Sequence, residues 1–411
     1  MGIWQRLMRP FSRADEQKMT SLELFREIYG GTGSSSGVSV TTANSLEVTT
    51  VLGCARVLAE GVAQVPFRVY RELDEGRQVA RDSAVNRLIY RRPNRWQTSF
   101  EFRETIMFHL VLAGNAFVFV NRVGSEGEPR ELVPIEPGRV EVKRLNGDRL
   151  EYKVRGDQQG EEKIFPQEAI WHLRGPSWNS WMGMDAVKLA RDAIGLSMAL
   201  ESSHAALHKG GSQMSGLLSM QDSIGPEKFK SLMKWLERYA AGGDLQHKPL
   251  ILDRGATWTS MQMKGVDSQH LETRKHQIEE VCRAFRVMPI MIGHADKTAT
   301  YASAEQMFLA HVVHTLSPWY ERIEQSADEN LLTERQRDDG FYTKFTPNAL
   351  MRGAAQDRAE FYSKALGAGG HGTAWMTPNE ARTLEDMDKI SDPAADRLPS
   401  PQPGPQEAPG G

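Results

Sequence analysis

The stretch Asp267-Ser-Gln-His-Leu-Glu-Thr-Arg-Lys-His-Gln-Ile-Glu-Glu-Val-Cys-Arg-Ala-Phe-Arg-Val-Met-Pro-Ile-Met-Ile-Gly-His-Ala-Asp-Lys-Thr-Ala-Thr-Tyr-Ala-Ser303 decides how the chain is read. Leu271, Ile278, Cys282 and Phe285 recur at helical spacing and form one apolar stripe. Lys275, Glu279, Arg283 and Arg286, at i,i+4 or i,i+3, form a second stripe that is wholly charged and mixed in sign. Pro289 ends the helix, because proline disfavours helical geometry in the residue before it. A small, polar, glycine-initiated segment follows, Gly293 to Ser303. Ser303 and Gln306 have capping-box spacing and predict the start of the next helix. The expectation is a helix, an exposed loop and a further helix.

The 411 residues suffice for two or three globular domains. Charged residues make up 25% and hydrophobic residues 40%, the balance of an ordinary folded protein. Net charge is −3, which argues against a chain that grips DNA by neutralising many phosphates. Cys54 and Cys282 have neither metal-site nor disulfide-framework spacing, as expected in a reducing compartment. The N-terminus is too polar for a secretory signal. The most apolar window, Ile106 to Val120, is interrupted by His109, Gly114 and Asn115 and falls short of the roughly 20 residues a membrane helix needs. No membrane partner is therefore expected.

Working outward, residues 1–42 read as a flexible arm with a basic start and a Gly/Ser run. Helical spacing covers Thr42–Gln64, Ser83–Tyr90 and Ser99–Ala113. Val65–Tyr70 and Asn115–Asn121 have strand character, and near-period-two runs between Arg130 and Leu173 predict a small antiparallel unit. The first 180 residues thus read as one α+β domain. Gly183–Lys209 reads as a helix of roughly 40 Å with few charges, so buried on most sides, with Ile194 and Leu200 among its packing residues. Residues 210–266 form a compact strand–helix–strand insertion. Ala304–Thr333 is a long helix kinked at Pro318, followed by strand Phe341–Phe345 and helices Asn348–Leu366 and Pro378–Met387. Residues 391–411, rich in Pro and Gly, are expected to be disordered.

Candidate chemistry is sparse. His204 and His208 are i,i+4 but lack a third ligand at supporting spacing, so helix-surface histidines are the simpler reading. Gly30-Gly-Thr-Gly33 matches a phosphate loop in composition only, since no Gly-Lys-Ser/Thr follows. Asp338-Asp339 and Asp386-Met-Asp388 are ordinary solvated acids, and no nucleophile elbow is present. Nothing argues for an enzyme, a cofactor or a metal. A mixed-sign stripe is usually only a solvated face. Here it lies on a helix that pairs with the nearly uncharged 183–209 helix across an insertion, which suits the polar inner wall of a ring of subunits.

The chain resembles phage portal proteins, the head–tail connectors of long-tailed double-stranded DNA phages, of the lambdoid siphophage type. The residues that carry it are Gly183-Met-Asp-Ala-Val-Lys-Leu-Ala-Arg-Asp-Ala-Ile-Gly195, Ser215-Gly-Leu-Leu218, Leu271–Lys275, Ile278–Pro289, Ile292-Gly293, Ala304-Glu-Gln306, Thr315-Leu-Ser-Pro-Trp319, Asn348-Ala-Leu-Met-Arg352 and Asn379-Glu-Ala-Arg382. They occur in the family's order over roughly residues 43–390. One departure is Met288, where the family usually has a proline pair.

The resemblance implies an α+β portal fold: a wing (43–182, completed by the long helix and strand of 304–345), a two-helix stem (183–209 and 267–287), a small α/β clip (210–266), a tunnel loop (288–303) and a helical crown (346–390). It also implies assembly as a ring, typically of 12 subunits, around a central channel at one capsid vertex. The implied partners are double-stranded DNA, the large terminase subunit, the head–tail adaptor, the major capsid protein and scaffold, in a virion assembled in the host cytoplasm. Packaging energy would come from a separate ATPase. Lys275, Glu279, Arg283 and Arg286 then become channel-lining residues. His294, Asp296, Lys297, Thr298 and Thr300 belong to the tunnel loop, and Ile194, Leu200, Leu271, Ile278 and Phe285 to stem packing. The competing reading is a DNA-associated nuclease or ATPase.

Overall fold

The structure is a computed structural model that describes residues 33–73, 76–124, 127–145, 149–156, 161–209, 216–219, 225–238, 257–260, 266–294, 301–347, 355–367, 373–384 and 389–399. Its longer helices among the described residues are α1 (Thr49–Ala63), α2 (Ser99–Ala113), α3 (Arg191–Lys209), α4 (Pro226–Glu237), α5 (Val266–Phe285), α6 (Tyr301–His311), α7 (Ser317–Leu331), α8 (Ala355–Ala365) and α9 (Pro378–Leu384). Its strands are β1 (Phe67–Glu72), β2 (Arg77–Val79), β3 (Asn115–Val123), β4 (Glu128–Ile135), β5 (Val140–Arg144), β6 (Leu150–Arg155), β7 (Glu162–Pro166), β8 (Ile170–Arg174), β9 (Gly216–Ser219), β10 (Thr257–Ser260) and β11 (Phe341–Phe345). The mixture of helices and antiparallel sheets is the expected α+β class. The chain divides into two compact units, Met1–Glu60, Phe102–Val120 and Val133–Ala295 in one, Gly61–Glu101, Asn121–Leu132 and Asp296–Gly411 in the other.

In the first unit, β3 pairs with β8 and β5, β6 and β7 form an antiparallel sheet. Alternation along these strands turns Phe117, Val142, Leu150, Tyr152 and Ile170 into one apolar cluster. A polar core sits beside it. The Nε2 of His172 bonds Asn115 Oδ1 at 3.0 Å, which leaves Nδ1 to accept from the Tyr152 hydroxyl at 3.2 Å. Burial, with help from nearby Arg174, holds the His172 pKa well below its usual value, so the ring is neutral. Asn115 Oδ1 also accepts the Gly183 N–H at 2.8 Å, and its Nδ2 donates to Gly183 O at 3.0 Å. This knot fixes the segment that leads into the helix pair α3 and α5. The segment passes so close to Gly114, at φ +70°, that a Cβ there would lie 2.0 Å from Met184 O.

Gly183–Lys209 is not one helix. A short turn, Ala186–Leu189, is capped by the Asp185 side chain, and Ala190 leaves helical geometry before α3 begins at Arg191. The stem-length helix is therefore about 28 Å rather than 40 Å. Nor is it fully buried in the single chain: Ile194 is buried, Leu200 half-buried and Leu196 exposed.

α5 ends as a Schellman motif. Val287 N–H donates to Cys282 O at 2.9 Å and Arg286 N–H to Arg283 O at 3.1 Å, with Val287 and Cys282 both buried. The left-handed residue of that motif, usually glycine, is Arg286 at φ 55°. Arg286 thus lies beyond the helix, and its predicted place in the charged stripe does not hold as helical spacing. Pro289–Ile292 then makes a single 3₁₀ turn closed by Gly293 at φ +80°.

In the second unit, the first 180 residues prove not to close on themselves: β1 takes β11 as its neighbour, with Phe67 opposite Phe345. Those two rings stack at 4.2 Å, and Tyr320 of α7 lies against Phe345 at 4.9 Å. Buried Glu324 accepts the Phe345 N–H at 2.7 Å and Lys344 Nζ at 2.8 Å, so both carboxylate oxygens are satisfied. The expected Pro318 kink is accommodated by a π-helical turn, Val312–Leu316, between α6 and α7. α6 begins at Tyr301, two residues before the expected cap at Ser303. Also contrary to expectation, residues 391–399 are structured: Asn379 holds Asp396 Oδ1 at 2.8 Å and Ile390 O at 3.1 Å. The 1–32 part of the N-terminal arm and the 400–411 part of the tail lie outside the described residues.

Two outcomes test these local constraints. Gly114→Ala should lower stability by more than about 2 kcal/mol, through left-handed strain plus the backbone clash. Gly124→Ala, with similar φ but open space around it, should cost only about 1 kcal/mol. Equal shifts in the urea midpoint would contradict the crowded crossing. Arg286→Gly should raise stability by about 0.5–1 kcal/mol and Arg286→Val lower it by about 1–2 kcal/mol, read as opposite shifts of the thermal midpoint.

Candidate functional site

The packing of α5 separates its two faces. Val281, Cys282 and Phe285 are buried and Ile278 is half-buried, which realises the predicted apolar stripe and adds Val281 to it. The side chain of Leu271 lies outside the described residues. Ile278 meets Leu200 of α3 across a small cavity of about 60 Å³, closed by Val48, Thr49 and Thr50 at the start of α1. Cys282 is met by Cys54 of α1. The helix pair α3 and α5 therefore rests on a third helix, α1, which the sequence reading assigned to the α+β domain. Nothing in the spacing of α1 alone announces this, since its buried face fits any partner.

A second support was also missed. Asp192, near the start of α3, accepts both the N–H of Ser35 at 2.8 Å and its hydroxyl at 3.0 Å. The bond from the Ser35 backbone, then that from its side chain, pulls the Asp192 carboxyl pKa below its ordinary value. Gly195 makes the approach possible, because a Cβ there would lie 2.3 Å from Ser34 Oγ.

The other face of α5 is open. Lys275, Glu279 and Arg283 are all exposed, as is Arg286 beyond the helix end. Arg283 pairs with Glu280, His276 lies 3.8 Å from Glu280, and Arg274 reaches Glu201 of α3 at 3.7 Å. On this side Glu272, Glu279 and Glu280 offset Lys275, Arg283 and Arg286, while Arg274 turns toward Glu201 of α3. Exposed pairs of this kind contribute under about 1 kcal/mol each. The pattern is thus a poor stabiliser but a charge-balanced surface, one that can pass a polyanion without clamping it.

At the foot of α5 stands the loop root. His294 is half-buried, its N–H bonded to Pro289 O at 3.0 Å, and it lines an open cleft of about 450 Å³ with Gly53, Arg56 and Glu60. Asp296, Lys297, Thr298 and Thr300 lie outside the described residues, as does the side chain of His208. His204 faces the small cavity beside Glu201 and Arg274. Among the described residues there is no group of three or more metal-capable side chains, and no helix is long and apolar enough to cross a membrane.

The chain is similar to known proteins over most of its length. The portal protein of Enterobacteria phage HK97 is 28% identical over 353 residues, which span 85% of this chain and 81% of that one. The crystal structure of an HK97-family phage portal protein from Corynebacterium diphtheriae shares the fold, with a TM-score of 0.55 at 15% identity over 76% of this chain and 97% of that one. So does a chain from the neck of a native gene transfer agent particle computed with C12 symmetry, with a TM-score of 0.57 at 21% identity over 89% and 99%. The sequence model described as "Phage portal protein" matches residues 49–386, most of the length, and the chain belongs to that family.

Proposed function

We propose that the protein forms the DNA channel of a phage capsid vertex as a ring of twelve copies, with the exposed face of α5 lining the hole. The observation that carries this reading is the division of α5 into a buried apolar side and a charge-balanced exposed side. A neck particle with C12 symmetry contains a chain of the same fold, which supports the number twelve. Family membership makes the protein a structural capsid component rather than an enzyme. Nothing observed favours a DNA-associated nuclease or ATPase.

In this reading residues 43–182 with 304–345 are the wing, 183–209 and 267–287 the stem, 210–266 the clip, 288–303 the tunnel loop and 346–390 the crown. α4 of the clip exposes Phe229 and Met233 at i,i+4, an apolar pair suited to a protein partner. The terminase during packaging and the adaptor afterwards would dock there. The wing would meet the major capsid protein, and assembly would take place in the host cytoplasm. Lys275, Glu279 and Arg283 would face DNA, with His294, Asp296, Lys297, Thr298 and Thr300 forming a loop around it.

Charge balance is the property to test. Glu279→Lys changes each subunit by two charges and places a basic ring in the channel, which should slow or stall packaging by holding phosphates. Glu279→Gln should have a smaller effect. Packaging of full-length DNA at the wild-type rate by particles carrying Glu279→Lys would remove α5 from the channel wall.

A further inference from the structure

Cys54 and Cys282 are the two cysteines of the chain. They stand 228 positions apart, but their sulfurs are 3.8 Å apart, with the Cys54 S–H directed at the Cys282 sulfur. Both are free thiols, 0% and 1% exposed. A buried cysteine is ordinarily a small apolar packing group. Two features go beyond packing. The contact is directed sulfur to sulfur, and an open cleft of about 450 Å³ lies close by, lined by Gly53 and Ile278, one and four positions from the two cysteines. Neither sulfur lines that cleft, so oxidation of the pair requires local opening of the packing around it.

We propose that Cys54 and Cys282 are an oxidisable pair that closes to a disulfide on exposure to peroxide, stapling α1 to the last turn of α5. The bond from Cys54 lowers the Cys282 thiol pKa, against burial and the charge of Glu279, while the same bond and burial push Cys54 up. Cys282 is therefore the nucleophile. Its thiolate attacks one peroxide oxygen, the O–O bond breaks, a sulfenic acid forms and water leaves. The Cys54 sulfur then attacks the sulfenic sulfur, the S–S bond forms, and the thiol proton leaves in a second water. Two thiols and one peroxide give one disulfide and two waters, the sulfurs losing the two electrons that the peroxide gains. Closure from 3.8 Å to a bond of about 2.05 Å needs under ~2 Å of movement, within reach of side-chain rotation and a slight helix shift. The staple would pin the end of α5 four residues before Arg286, at the root of the 288–303 segment.

The test treats the assembled full-length protein with hydrogen peroxide, alkylates remaining thiols in denaturant, and maps peptides without reductant. The expected result is loss of both alkylatable thiols and a peptide joining Cys54 to Cys282, two hydrogens lighter than its parts. The thermal midpoint should rise by about 3–5 °C and return on treatment with dithiothreitol. Cys54→Ser should stop at a sulfenic acid on Cys282, captured by dimedone. Thiols that remain alkylatable, separate over-oxidation of each cysteine, or a link between subunits would each overturn the proposal.

Discussion

One constraint governs this molecule: α5 must be apolar enough on one side to be held and charge-balanced enough on the other to be left open. The held side is the stronger effect. Burial of Val281, Cys282 and Phe285 contributes on the order of 1.5–3 kcal/mol for each large side chain, whereas each exposed ion pair on the far side contributes under about 1 kcal/mol. Packing alone can therefore position the helix. Its outward charges are free to answer a different demand, and a balanced set of acids and bases suits contact with a moving polyanion.

The supports of this helix pair come from distant parts of the chain. α1 supplies Cys54 and the wall of Val48, Thr49 and Thr50, and Ser35 fastens the start of α3 through Asp192. Upstream, the Asn115 amide clasps Gly183 from both its N–H and its C=O, where Gly114 leaves no room for a side chain. The first residue of β3 is thus tied directly to the segment that leads into α3.

Much of this was legible in the residues. α2 and β11 match their predicted limits, and α5 and β3 theirs within a residue or two, because each is a strongly periodic run bounded by a proline, glycine or turn. The stripe of Ile278, Cys282 and Phe285 was readable for the same reason. What escaped is what periodicity does not encode. Ala190 interrupts a sequence with good helical propensity, and Arg286 adopts a left-handed conformation that favours glycine. The pairing of β1 with β11 and the contact of Cys54 with Cys282 join residues far apart along the chain. Residues 391–399 gain structure from the Asp392 cap on a 3₁₀ turn, from buried Ala395 and from the Asn379 bond to Asp396. The site followed the same division: the charged face was visible as spacing, and its backing helix was not.

On the proposed reading, copies of this chain close into a ring with the open face of α5 turned inward. Electron microscopy of the purified full-length protein, carried to a resolution that orients the helices, tests it most directly. The account predicts rings with a central hole and Lys275, Glu279 and Arg283 on its wall. A compact monomer at high protein concentration, or a ring in which that face points away from the hole, would contradict it.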